Sequence, residues 1–371
     1  MFPVMRTASK VNGYLFILLL AGMLLYSLPA AVGFARTQNQ TQALSQFVDG
    51  QLLRQFEQFY DKRLFLRDIS VRHWANLQYL LFREASSGAI LGRDGWLFTN
   101  QEYRIPNDLQ RNMDNQLAHI DQVRAKLETA GIQLLVLPVP MKLDVQRHYA
   151  LQQPNDRLLN LHDEFVAGLQ ARGIAVSPVR AAFIAHSADE ALFIRNDTHW
   201  SPAGARLAAN ELARQHPALI GQTRFVSEAV GEKAVPGDLV NFLNFDPRLA
   251  PEFFQPEPVL LYETVQQQQS TAAADLFGDI EHHLLLVGTS YSRIDDWNFI
   301  GFLQQALHAD LLVIALEALG PFQAMDSFLA SDTLNSPGLT TVIWEFPVRT
   351  LLAHRTTAGG SSQSNLDPER E

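Results

Sequence analysis

The chain contains no cysteine. That excludes disulfide staples, thiolate nucleophiles and cysteine-based metal sites. Basic residues are also in short supply: 29 Lys and Arg stand against 39 Asp and Glu, for a formal net charge of −10. Such a balance disfavours nucleic acid as a partner. Charged residues of both signs make up only 18% of the 371 residues, while hydrophobic ones make up 47%. This composition suits a packed globular protein of one large domain or two ordinary ones. With no covalent links, its core must supply the stability.

One long apolar run stands out. Arg6 and Lys10 precede an uncharged stretch from Val11 to Ala35, rich in Leu, Phe and Ile. About 20 such residues cross a bilayer core. Basic residues before the run and a folded body after it predict a cytoplasmic stub, a transmembrane signal anchor over 1–36 and an exported body. A cleaved signal peptide is the competing reading, because Gly33-Phe34-Ala35 offers small residues at cleavage spacing. The run is long for a signal-peptide core, which favours the anchor.

Arg36 to Ser45 is polar and reads as a linker. Phe47, Leu52, Phe56, Phe59, Tyr60 and Phe65 then recur at helical spacing, which predicts an amphipathic helix packed on the main domain. Linker and helix together occupy 37–89, the main domain 90–354, and a polar, disordered tail 355–371. In the main domain, Ile90 to Phe98 predicts a hairpin turning on Asp94-Gly95. Leu109, Met113, Leu117, Ile120 and Leu127 mark a helix ending at Gly131. Leu158, Leu161, Phe165 and Leu169 mark another, and Ser201-Pro202 opens a third. Buried-strand runs lie at Ile132–Leu137, Leu284–Val287, Leu311–Ile314 and Thr341–Trp344, with a short strand at Ile174–Val176. The alternation predicts an α/β domain with a central, mostly parallel sheet flanked by helices. In such sheets ligands sit beyond the carboxyl ends of the strands. Gln266 to Ala274 reads as a surface loop.

Two polar islands interrupt this apolar pattern. Asp197-Thr198-His199-Trp200-Ser201-Pro202 supplies an acid and an imidazole; Gly288-Thr289-Ser290-Tyr291-Ser292 supplies a hydroxyl at a strand end. These are the three groups of a Ser-His-Asp triad. If the segment is extended, Asp197 and His199 point to one side. The carboxylate then orients the ring, and the ring takes the Ser290 proton. The Ser290 N–H is a candidate oxyanion donor. The pattern is not Gly-x-Ser-x-Gly, so nothing here supports an α/β-hydrolase elbow. Each island also has a structural reading, as a turn before a capped helix or as a strand-end turn. Asp197, His199, Glu281, His282 and His283 are conceivable metal ligands, but their spacing matches no ligand motif.

The chain resembles the bacterial alginate O-acetyltransferase family, the AlgJ/AlgX-like proteins, whose domain is related to the SGNH hydrolases. The resemblance runs from about residue 50 to 352 and rests on several blocks in one order. They are Gly92–Phe98, Pro138-Val139-Pro140-Met141-Lys142, Asp197–Ala205, Gly237-Asp238-Leu239, Gly288–Ser292, Trp297-Asn298-Phe299 and Trp344–Arg349. It implies a triad of Asp197, His199 and Ser290, in the permuted order that places the acid and the imidazole before the serine. It also implies an SGNH hydrolase-like fold of the short, membrane-anchored type, which includes relatives from cellulose-acetylation systems. Tyr291, Arg293, Asn298, Lys142 and Trp200 are candidates for the oxyanion hole or sugar site. For Trp200 the alternative is packing behind the triad; for Lys142, an exposed loop charge. Glu345 and Arg349 are expected to pair with each other.

The activity so implied is acetyl transfer through an acyl-serine to hydroxyls of a bacterial exopolysaccharide, alginate or cellulose. The catalytic domain would lie in the periplasm, anchored in the inner membrane. No cofactor or metal is implied. The implied partners are the exopolysaccharide acceptor, a membrane-bound O-acyltransferase that delivers acetyl, and the polysaccharide synthesis and export complex. An acetyl-polysaccharide esterase and a non-catalytic polysaccharide-binding scaffold are the alternatives. The triad alone does not separate transferase from esterase, because the acceptor depends on water exclusion. A net charge of −10 leans toward a neutral polymer unless a local basic groove reverses it.

Overall fold

The computed structural model describes residues 3–37, 45–61, 63–82, 88–267 and 283–353. The expected tail at 355–371, and residues 268–274 of the expected loop, lie outside them. The chain divides into two compact units at Asn76.

In the first unit, helix α1 (Pro3–Thr37) contains the apolar run. From Val11 to Thr37 it is long and apolar enough to cross a membrane, with a mean hydropathy of 2.3. Helix α2 (Gln51–Asp61) carries Leu52, Phe56, Phe59 and Tyr60 of the predicted stripe, while Phe47 precedes it and Phe65 falls in the next helix. Within this unit the stripe packs on α1. Phe34 meets Phe56 and Phe59 with ring centroids 5.4 Å apart. The Ser27 and Tyr60 hydroxyls share a 2.6 Å hydrogen bond. Periodicity marks the apolar face of a helix but does not name the surface that covers it. Helix α3 (Phe65–Phe82) follows.

The second unit takes in the end of α3 from Leu77 and continues with a hairpin of β1 (Ala89–Leu91) and β2 (Leu97–Thr99). Asp94 and Gly95 turn it with φ of 53° and 76°, the left-handed pair that a tight hairpin demands. Helix α4 (Leu109–Thr129) closes on Gly131, where Ile132 N–H donates back to the Leu127 carbonyl at 2.9 Å. Then come β3 (Gln133–Val139), the short α5 (Lys142–Val145), α6 (Leu161–Gln170), β4 (Ala175–Val176) and α7 (Arg180–His186). Helix α8 (Pro202–Gln215) starts as expected, with Ser201 Oγ accepting from Gly204 N–H at 3.2 Å. A long antiparallel ribbon of β5 (Phe225–Val235) and β6 (Glu257–Gln266) follows, with a bulge between Ala229 and Gly231. The chain returns through β7 (Leu284–Gly288), α9 (Ser290–Arg293), α10 (Phe299–Leu307), β8 (Leu311–Ala315), α11 (Gly320–Leu329) and β9 (Thr341–Pro347).

Five strands form one sheet in the order β4-β3-β9-β7-β8, and every neighbouring pair is parallel. Alternate side chains face opposite layers. Leu135, Leu137, Leu284, Leu286 and Ile343 pack with α8 and α10. Leu134, Val136, Leu285, Val287 and Trp344 pack with α4, α6 and α11. Both faces are buried, which is why these strands read as continuous apolar runs. The two central strands, β9 and β7, deliver their carboxyl ends to the same edge, and the polar islands gather there.

Candidate active site

β7 ends at Gly288, and Thr289 caps the one-turn helix α9 by accepting from Tyr291 N–H at 3.3 Å. Ser290 is therefore the first residue after the strand breaks. A Cβ at Gly288 would collide with Ser292 and sit 3.0 Å from a carboxylate oxygen of Glu345. That carboxylate rises from β9 and is fully buried. It accepts from Thr289 N–H at 2.6 Å, from the Thr289 hydroxyl at 2.9 Å and from the Ser292 hydroxyl at 3.0 Å. Burial raises the Glu345 pKa despite those bonds. Glu345 thus holds the Ser290 turn, and the expected pair with Arg349 is not made.

The acid and the imidazole arrive on a loop, closed by a bridge between Phe193 and Trp200. The segment is bent, where an extended one was expected. Asp197 Oδ1 accepts from the backbone N–H of His199 at 2.9 Å, folding the chain into a turn two residues long. The turn returns the ring to the same carboxylate: His199 Nδ1 lies 2.6 Å from Asp197 Oδ1. The other ring nitrogen, Nε2, lies 2.7 Å from Ser290 Oγ. An Nδ1–H facing the carboxylate leaves Nε2 as the acceptor of the serine proton. Asp197 Oδ2 also accepts from Asp238 N–H at 2.9 Å. Burial opposes the charge, but the bonds from His199 and Asp238 hold the Asp197 carboxyl down at about 2.

Lys142 was expected at the oxyanion hole or sugar site, or else as an exposed loop charge. It is neither. Only 2% of it is exposed, and its Nζ donates to the carbonyls of Ile194, Arg195 and Asp197 at 2.7, 2.8 and 2.8 Å. An ammonium has three donors, so none remains for a ligand. Trp96 lies under the charge, 5.0 Å to its ring centroid. Burial pulls the Lys142 ammonium down to about 7 against the nearby carboxylates. Lys142 ties the loop that carries Asp197 and His199 from inside.

Asp238 is a second carboxylate that residue-by-residue reading missed. It accepts from Thr198 N–H at 2.7 Å and from the Thr198 hydroxyl at 2.6 Å, and one oxygen lies 3.9 Å from His199 Nδ1. Burial and the Asp197 charge raise its pKa. The signal was Gly237, whose φ of 84° and collision-free approach to Asn196 no other residue supplies. Asp197, His199 and Asp238 form a cluster of metal-ligand type. A cation there would compete with hydrogen bonds already made by both ring nitrogens and both carboxylates. Of the other conceivable ligands, Glu281 and His282 lie outside the described residues, and His283 bonds the Gly338 carbonyl at 2.9 Å.

Trp200 is fully buried behind the triad, donating to the Tyr291 carbonyl at 3.1 Å. Tyr291 is also buried; its hydroxyl donates to the Thr198 carbonyl at 2.7 Å, and its ring lies 4.9 Å from His199. Neither is open to a substrate. Asn298, with φ of 49°, donates from its side chain to the Thr264 hydroxyl on β6 at 3.0 Å. Of the expected sugar-site residues, Arg293 alone is exposed.

The profile for the SGNH hydrolase-like domain of the acetyltransferase AlgX matches residues 89–348. A Pseudomonas fluorescens protein named "Probable alginate O-acetylase AlgJ" is 35% identical, over 91% of this chain and 86% of its own. A protein of the same name from Pseudomonas aeruginosa is 33% identical, over 93% and 91%. The solved O-acetyltransferase domain of Pseudomonas putida AlgJ superposes with a TM-score of 0.64 at 31% identity, covering 76% of this chain and 96% of that one. The chain belongs to the AlgX family of SGNH hydrolase-like O-acetyltransferases.

Proposed function

We propose that this chain O-acetylates a polyuronate of the alginate type through an acetyl-Ser290 intermediate. The hydrogen-bonded line from Asp197 through His199 to Ser290, with links of 2.6 and 2.7 Å, carries this reading. Ser290 Oγ attacks the acetyl carbonyl of the donor while His199 Nε2 takes its proton. The Ser290 N–H, which donates to no described residue, faces the developing oxyanion. The donor's leaving group departs with the proton from His199, and acetyl stays on Ser290. A sugar hydroxyl then loses its proton to His199 and attacks the ester, and the serine recovers the proton. Asp197 keeps the ring oriented and stabilises the imidazolium through both half-reactions.

Alginate is preferred over cellulose because the matched relatives are named for alginate. The apolar α1 would hold the catalytic unit at the periplasmic face of the inner membrane. A membrane-bound O-acyltransferase would pass acetyl across to it, within the polysaccharide synthesis and export complex. The test uses the full chain in detergent, with 4-nitrophenyl acetate as donor and mannuronate oligomers as acceptor. Acetylated oligomer, seen by mass spectrometry and absent with Ser290→Ala, supports the reading. Free acetate as the sole product contradicts it and makes the chain an esterase.

A further inference from the structure

Arg349 lies just past β9, on the turn Val348–Leu352, at the same sheet edge as Ser290. Its guanidinium carbon is 5.6 Å from the centroid of the Tyr291 ring, and that ring packs against His199. The residue is partly exposed. Among the described residues no carboxylate comes within ion-pair distance of it, and nothing accepts a hydrogen bond from its guanidinium. Some arginines of this unit are bound, Arg180 by Asp144 and Asp163, Arg157 by Glu164, Arg124 by Asp121 and Glu128, so an open guanidinium is not unique to Arg349; its place next to the Tyr291 ring is what distinguishes it. The carboxylates around the triad are already committed, Asp197 to His199 and Asp238, Asp238 to Thr198, and Glu345 to Thr289 and Ser292. Burial works against the charge of Arg349, but Tyr291, Asp238, Glu102 and Asp197 hold it protonated.

We infer that Arg349 receives the carboxylate of the acceptor sugar, and so places a ring hydroxyl of that uronate at acetyl-Ser290. The inference rests on the acetyl-transfer reading above. A guanidinium is a rigid fork of donors that fits a carboxylate with two parallel bonds. Leaving such a fork partly desolvated without an acceptor is costly, and an anionic ligand removes that cost. A protein with a net charge of −10 also repels a polyanion unless a local cation receives it. Arg349 supplies that cation against the ring of Tyr291, the residue that follows Ser290, where composition alone leaned toward a neutral polymer.

The test compares two acceptors on the full chain in detergent: a mannuronate oligomer and the same oligomer with its carboxyls reduced to alcohols. The readout is the ratio of kcat/KM for the two, which general damage to the enzyme does not move. Arg349→Gln should lower the preference for the uronate about tenfold to a hundredfold, chiefly through KM. Arg349→Lys keeps the charge without the fork and should fall between Arg349→Gln and wild type. An unchanged ratio in Arg349→Gln overturns the inference while leaving the acetyl-transfer reading in place. A wild type that acetylates neither oligomer overturns both.

Discussion

Ser290 and the Asp197–His199 pair reach the same point on two differently built segments. Ser290 stands on regular structure, where a buried strand ends in a capped turn. One carboxylate, Glu345, from the next strand braces that turn. Asp197 and His199 stand on a loop whose backbone carbonyls are gathered by a distant buried cation, Lys142, and whose backbone N–H of Thr198 is taken by Asp238. The first segment is held by the sheet. The second is held by polar side chains brought from elsewhere in the chain. A strand end needs one polar brace to place Ser290, whereas orienting an imidazole in an irregular loop takes several long-range polar anchors.

Substitutions sharpen this contrast in descending order of effect. Ser290→Ala and His199→Ala remove reacting groups, and each should cut kcat by about a thousandfold or more in the acetyl-transfer assay. Lys142→Met leaves three buried carbonyls without a donor and loosens the loop. It should lower kcat about tenfold to a hundredfold, with a smaller change in KM, because misplacement by an ångström is enough for such a loss. Glu345→Gln keeps the shape of the brace but turns a donor toward hydroxyls and an N–H that need an acceptor. Its expected cost is about tenfold in kcat. If Glu345→Gln were as damaging as Lys142→Met, the Ser290 turn would depend on its polar brace as much as the loop does, and the contrast would fail.

The smallest effect is a pH dependence of stability. The folded-state pKa of Lys142 is about 7, below its unfolded value. Below pH 7 both states carry the proton, and this group adds no slope. Above pH 7 the unfolded chain still binds the proton that the native state releases, so stability from this group rises with pH up to about 10.4, by at most about 1.4 kcal/mol per pH unit. Thermal unfolding of wild type and Lys142→Met across pH 6 to 10 measures it. The difference in Tm should shift in favour of wild type as pH rises; a difference flat in pH would mean that the ammonium keeps its proton.

The contrast also explains what could be read without a structure. The sheet was legible because both faces are buried, so its strands stand out as runs such as Leu284–Val287 and Thr341–Trp344. The helix limits at Gly131 and Ser201 were legible because caps are local. The ribbon of β5 and β6 was not, since most of its residues are exposed and no burial pattern marks them. Ser290 could be placed at a strand end by the run before it. The bend at Asp197 was missed because its cause is a side chain bonding its own backbone. The role of Lys142 was missed because its partners lie 52 to 55 residues away.

The most direct test of the acyl-serine account is to trap the intermediate. The full chain is mixed with 4-nitrophenyl acetate, without acceptor, quenched in acid within the first turnover, digested and read by mass spectrometry. The account predicts one acetyl group on the peptide containing Ser290, absent from Ser290→Ala and discharged by added mannuronate oligomer. Rapid donor turnover with no acetyl on that peptide, or the same label in Ser290→Ala, would contradict it.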